Sequence, residues 1–207
     1  MNNLVIIGGG RAGRFANSLA ASCNVNVIGF LDDTFCVGEL IDQVKVLGGT
    51  QDILKIADTY KCKFFISITS KKVRRDLYNI VRDYGLELLT IIHPSVVVYP
   101  GAHIGEGVLI QPFCTIQTGA VINHNVIIEE MCAIGVDVNI GCHSVIAPSV
   151  SLTGGAKVGE DCFIGTNSCI NPEVTMRNGS VLGSGSTLIS DTEELGVYAG
   201  APAKKIK

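Results

Sequence analysis

The chain has 207 residues, 47% of them apolar and 17% charged, with a formal net charge of −3. That composition buries a real core in one large or two small domains. It lacks the basic excess that nucleic-acid binders need to neutralise phosphates, so nucleic acid is excluded as a partner.

The opening MNNLVIIGGG lacks the basic start, apolar stretch and small-residue cleavage site of an export signal, and no apolar run approaches a membrane span. The expectation is a cytoplasmic protein without a membrane span. From Asn3 to about Ile91, short apolar runs alternate with amphipathic stretches of helix length, the pattern of βαβ units around a parallel sheet. Leu4–Ile7 reads as the first strand, Arg11 to about Ser22 as a helix and Val25–Leu31 as a second, β-branched strand. Between the first two, Gly8, Gly10 and Gly13 make a G-x-G-x-x-G run, which lets backbone N–H groups and a helix dipole approach a phosphate. Asp32 stands near the distance of a ribose-binding acid, so a dinucleotide-dependent oxidoreductase is the rival reading. The absence of room for a hydride-transfer domain argues against it. Lys63–Ile68 reads as another strand. In KKVRRDLYNIVRDYG, Val73, Leu77, Ile80, Val81 and Tyr84 fall on one helical face, with Gly85 as the stop. Leu86–Ile92 is expected to close the sheet.

Beyond His93 a period of six replaces the helical one. Counting in sixes from Ile104 gives Ile110, Ile116, Ile122, Ile128, Ile134, Ile140, Ile146, Leu152, Val158, Ile164, Ile170, Met176, Leu182 and Leu188. Four residues after each rung from Ile104 to Leu182 stands a small residue, from Val108 and Cys114 through Ser180 and Ser186. A bulky aliphatic and a small residue at fixed spacing suit a narrow three-sided solenoid, with about eighteen residues per coil. Sandwich strands would alternate every two residues between turns of varied length. The eight cysteines contain no C-x-x-C pair, which argues against a zinc ribbon and for free thiols. Cys114, Cys132 and Cys162 fall in the small column and are expected to pack as small hydrophobes. None of the four histidines are eighteen apart, which speaks against a metal site across a β-helix interface.

The sequence resembles the sialic acid O-acetyltransferase and UDP-amino-sugar N-acetyltransferase family of bacterial surface-glycan pathways. The resemblance rests on VIIGGGRAG, GFLDD at Gly29 to Asp33, IIHPS at Ile91 to Ser95, the hexapeptide ladder, CFIGTNSC at Cys162 to Cys169 and GVYAGAPAK at Gly196 to Lys204. It implies a Rossmann-like nucleotide-sugar-binding domain over 1–91, a left-handed parallel β-helix acyltransferase domain over 92–195 and a C-terminal tail over 196–207. It also implies a homotrimer with acetyl-CoA as co-substrate, a nucleotide-linked amino sugar as acceptor, and active sites at subunit interfaces. By family match Gly10, Arg11, Ala12, Asp32, Asp33 and Thr69 would line the sugar-nucleotide site, and the fork of donors on Arg11 suits a diphosphate. For acetyl-CoA the match points to Val145, Thr166, Ser184 and Gly200 through Lys205, with Lys204 and Lys205 available to phosphates.

One departure stands out. The family's catalytic histidine precedes an acidic residue, but here Val136 occupies that position, followed by Asp137. A second family histidine aligns with Val145, and an Asn-Thr pair with Glu129 and Glu130. His143 and His124 lie elsewhere on the ladder and are alternative bases, whereas His93 and His103 read as structural or solvated. General-base catalysis contributes roughly 3 to 5 kcal/mol and positioning about 7 to 11, so loss of the histidine need not end activity. An amine can attack a thioester and shed its proton to water or to Asp137 or Glu129, whereas a neutral hydroxyl depends far more on a base. The expectation is N-acetylation. The alternatives are O-acetylation and a non-catalytic relative that binds sugar nucleotides.

Overall fold

The computed structural model describes residues 3–207, which divide into two units, 3–91 and Ile92–Lys207.

The first unit is a five-stranded sheet flanked by helices. Its elements are β1 (Asn3–Ile7), α1 (Arg11–Ser22), β2 (Asn26–Leu31), β3 (Leu40–Ile41), β4 (Val44–Gly48), a 3₁₀ turn at Thr50–Asp52, α2 (Ile53–Tyr60), β5 (Lys63–Ile66) and α3 (Lys71–Asp83). The strand order is β3-β4-β2-β1-β5, parallel except for the β3–β4 hairpin. β1 lies between β2 and β5 and is buried on both faces, which is why its sequence is an unbroken apolar run rather than an alternating one. Val5 and Ile7 pack with Ile53 and Ile56 of α2 and with Leu77 and Val81 of α3. Leu4 and Ile6, out of phase by one, point to the other side, where α1 lies against β1 and β2.

Three expectations change here. Leu86–Ile92 is not a closing strand, because only Leu88 bridges to Phe64, in a parallel sense. The hairpin β3–β4 and helix α2 fill the stretch between Asp32 and Lys63, which carried no clear sequence signal. α3 buries Arg74, Leu77 and Val81, while Val73, Ile80 and Tyr84 are exposed. The buried stripe is the 74/77/81 line, at the spacing of three and four that one helix face demands.

The second unit is the solenoid. Two-residue strands stack in parallel on three faces, each paired with the strand eighteen residues away. The first face runs from Val97–Val98 to Thr187–Leu188, the second from His103–Ile104 to Thr175–Met176, and the third from Ile91–Ile92 to Lys204–Lys205. The winding is that of a left-handed β-helix. From Ile110 to Leu188 every rung of the aliphatic ladder is buried, and so is every member of the small column. Val98 and Ile104, in the first coil, are less covered. At the far end Val197–Ala199 continues the third face on Val181–Leu182 and turns back to pair with Lys204–Lys205.

Two features of the corners were not legible in the periodicity. Every sixth residue from Gly101 to Gly185 has a positive φ, so each corner turns through one left-handed residue. Gly, Asn and Asp fill most of these positions, as their small or locally bonding side chains allow. The small column also carries polar work. Cys114, Ser144 and Ser168 donate to the carbonyls of Glu129, Gly159 and Gly183 at 3.0, 2.8 and 2.8 Å. The same atoms accept the amides of Cys132, Cys162 and Ser186 at 3.4, 3.0 and 3.2 Å. Cys114, Cys132 and Cys162 are therefore buried, as small hydrophobes would be, but they also satisfy corner carbonyls that the strand ladders leave unpaired.

Candidate functional site

In the first unit the glycine run forms a tight β1–α1 turn. Gly8 has φ +103 and donates its N–H to Leu31 at 2.8 Å. Any side chain on Gly13 would collide with the Gly8 carbonyl, so glycine at 13 lets the helix start against the loop. Gly10 is the N-cap of α1 with no side-chain cap, and nothing lies within 4 Å of where its Cβ would be. The first amides of α1 thus face open space beside the exposed Arg11 and the half-buried Ala12, a geometry suited to an anion. Exposed Thr69 follows β5, the strand beside β1.

The two aspartates act differently from a ribose-binding acid. Asp32 accepts Gly9 N–H at 2.6 Å, Thr34 N–H at 2.8 Å and Thr34 Oγ1–H at 2.6 Å. Burial pushes its carboxyl up, but the bonds from Thr34, Gly9 and Phe35 prevail and hold it below the usual carboxylate range. Asp33 accepts Thr50 N–H at 2.7 Å and Thr50 Oγ1–H at 2.9 Å. Both carboxylates are engaged in holding the loops around the turn, which weakens the oxidoreductase alternative.

In the solenoid, the eighteen-residue repeat sorts the candidates by corner. Glu130, Pro148, Thr166 and Ser184 form one column on the corner between the third and first faces, with Glu129 immediately before it. Ser149 N–H bonds Glu130, and Gly185 N–H bonds Thr166 at 2.8 Å, so successive members are one coil apart. Thr166 and Ser184 are exposed. Val145 projects outward from the adjoining third face. Gly200, with φ +100, donates to Ser186 Oγ at 3.0 Å and accepts Thr187 N–H at 3.0 Å, fixing the tail beside this corner. Lys204 is exposed there, while Lys205 is already paired with Glu193 at 2.5 Å.

Val136 and Asp137 stand on a different corner, between the first and second faces. Val136 is 45% exposed and Asp137 occupies the left-handed position with φ +57. The structure therefore separates Asp137 from Glu129 within one chain. His143 is buried on the third corner with φ +63, its Nδ1 2.9 Å from Asn125 Nδ2. His124 Nδ1 accepts Glu106 N–H at 3.2 Å on that same corner. Neither shares a corner with Val136. His93 bonds Ser95 Oγ at 2.8 Å. Among the described residues no group of three or more His, Cys, Asp or Glu could hold a metal ion, and no helix is long and apolar enough to cross a membrane.

Residues 3–81 match the PglD N-terminal domain. A variant of perosamine N-acetyltransferase from Caulobacter crescentus, solved with CoA and GDP-perosamine, superposes with a TM-score of 0.95 at 27% identity, covering 100% of this chain and 98% of that one. The acetyltransferase domain of PglB from Neisseria gonorrhoeae superposes with a TM-score of 0.93 at 26% identity over 100% of both chains. WeeI from Acinetobacter baumannii shares the fold, with a TM-score of 0.88 at 19% identity over 100% of both. With its glycine-loop sheet, unbroken hexad ladder and full-length matches, the chain is similar from end to end to sugar N-acetyltransferases whose structures hold CoA, and its first unit is similar to the PglD N-terminal domain.

Proposed function

We propose that this chain transfers an acetyl group from acetyl-CoA to the amine of a nucleotide-linked amino sugar, as a homotrimer in bacterial surface-glycan synthesis. The observation that carries the reading is the end-to-end likeness to an N-acetyltransferase whose structure holds CoA and GDP-perosamine. In this reading the nucleotide diphosphate lies at the α1 N-terminus, against the amides after Gly10 and the guanidinium of Arg11, with Ala12 and Thr69 alongside. Asp32 and Asp33 shape that loop. The coenzyme runs along the corner of Thr166 and Ser184, past Val145 on the adjoining face, with Gly200 and Lys204 of the tail at its phosphate end.

The residues can do most of the work by placement. Fixing amine and thioester in contact supplies about 7 to 11 kcal/mol, and a carboxylate, Glu129 or Asp137, accepts the proton that the family's histidine would take. Because those carboxylates lie on different corners, a second protomer is needed to bring both to one cleft.

The test is thiol release from acetyl-CoA with GDP-perosamine and with its 4-hydroxy counterpart as acceptors. Preferential turnover of the amine is expected, and a preference for the hydroxyl would refute N-acetylation. A second reading, a relative that binds sugar nucleotides without turnover, draws on Val136 in the histidine position. Binding of GDP-perosamine with no thiol release would favour it.

A further inference from the structure

The two candidate carboxylates sit in different settings. Asp137 is exposed at a left-handed corner, and its side chain folds back over Gly119, where a Cβ would collide with Oδ1. An aspartate suits that backbone whatever the chemistry nearby. Glu129 has no such backbone role. It follows rung Ile128 directly, is half-buried, and lies one coil above Gln111 and one below Ala147.

Gln111 is only 7% exposed, and its side-chain amide pairs with no other described residue but still reaches solvent. Glu129 likewise has no cation within ion-pair distance among them. Its backbone is held by the Cys114 thiol, which donates to the Glu129 carbonyl at 3.0 Å. Burial, and then the neighbouring charge of Glu130, push the Glu129 carboxyl above its ordinary range. A half-buried carboxylate beside a second carboxylate, with a polar amide one coil away and no cation of the chain paired with it, suits a cation that arrives from outside.

Building on the acyltransferase reading, we propose that Glu129 receives the acceptor's amine as an ammonium and takes its proton, with Glu130 and the Gln111 amide alongside. The ammonium gives one proton to the Glu129 carboxylate and becomes a neutral amine. Desolvation favours the neutral pair, since it raises the acid and lowers the ammonium. The nitrogen lone pair then attacks the thioester carbonyl, forming the C–N bond. The C–S bond breaks, and the departing thiolate takes the second nitrogen proton to leave as CoA thiol. Glu129 returns its proton to solvent, so one amide, one thiol and one proton are the net products. A hydroxyl brings no positive charge to Glu129, so the same device selects amines over alcohols.

The experiment is thiol release from acetyl-CoA by the unaltered chain and by Glu129→Gln and Glu129→Asp, from roughly pH 6 to 9, with GDP-perosamine and dTDP-4-amino-4,6-dideoxyglucose as acceptors. Glu129→Gln is expected to lower kcat/KM for the amine by about a hundred- to ten-thousandfold at neutral pH. The loss shrinks as rising pH deprotonates the amine in solution, Glu129→Asp recovers part of the rate, and KM for acetyl-CoA is unchanged. The Gln variant melts no lower than the unaltered chain, because it removes a charge that burial disfavours. A Glu129→Gln rate within about threefold of the unaltered chain overturns the proposal, as does a loss that is the same at every pH. In either case the acyltransferase reading survives. If the unaltered chain releases no thiol with either acceptor, both fall together.

Discussion

Replacing Ser144 with alanine tests whether the small column of the solenoid is polar by necessity. Ser144 is fully buried; its Oγ donates to the Gly159 carbonyl at 2.8 Å and accepts the Cys162 N–H at 3.0 Å. Ser144→Ala keeps the size and apolar fit but leaves a buried carbonyl and a buried amide without that partner. Each such group costs about 1–3 kcal/mol, so the pair should cost about 2–4 kcal/mol after local relaxation. In a chain of this length about 1 kcal/mol moves the melting midpoint by roughly 2–4 °C, which places the variant about 5–15 °C below the unaltered protein. Ser144→Cys keeps a donor and acceptor, as Cys114 does on another corner, and should cost less than about 1.5 kcal/mol. Paired guanidinium and thermal unfolding followed by circular dichroism measure both. If Ser144→Ala lies within about 0.5 kcal/mol of the unaltered chain, the column requires only small size and the hydrogen-bond argument is wrong.

Gly13→Ala should destabilise the first unit by about 2–3 kcal/mol, since its methyl would strike the Gly8 carbonyl; a melt alongside GDP-perosamine titration reads stability and binding together, and an unchanged midpoint would contradict the close approach. Asp32 has its folded-state carboxyl below the unfolded value of about 3.9, so its contribution is complete above that pH and is lost as pH falls through the lower folded value. Asp32→Asn should therefore flatten the acid limb of the stability curve below about pH 4 while lowering stability at neutral pH; parallel acid limbs in the two proteins would show that the carboxylate does not hold the loop. Lys204→Ala should weaken CoA binding and lessen its salt dependence, because one exposed ammonium is removed from the proposed phosphate end; isothermal titration at two salt concentrations checks it, and unchanged affinity would place the phosphates elsewhere.

The ladder made the solenoid legible because its repeat is set by local geometry. One bulky aliphatic per hexad fills the axis, as Ile110 through Leu188 do, and a run of such rungs leaves no alternative packing of comparable burial. β1, α1, β2 and α3 were legible for the similar reason that each is a contiguous apolar run or amphipathic stretch. β3, β4 and α2 were not, because a two-strand hairpin and an eight-residue helix carry too few residues for a period to emerge. Val73 and Ile80 looked like core and are exposed, because which stripe of α3 faces inward depends on what lies beneath it.

The amino-acid order thus determined the two architectures, together with the residue types at the loop, the corners and the tail. The tertiary structure alone decided how those residues are used. It tied Asp32 and Asp33 into loop bonds, placed Asp137 and Glu129 on separate corners, and stacked Gln111 one coil from Glu129. The physical reason is that periodicity records distance along the chain, whereas the charge a carboxylate can keep depends on the groups that folding brings around it.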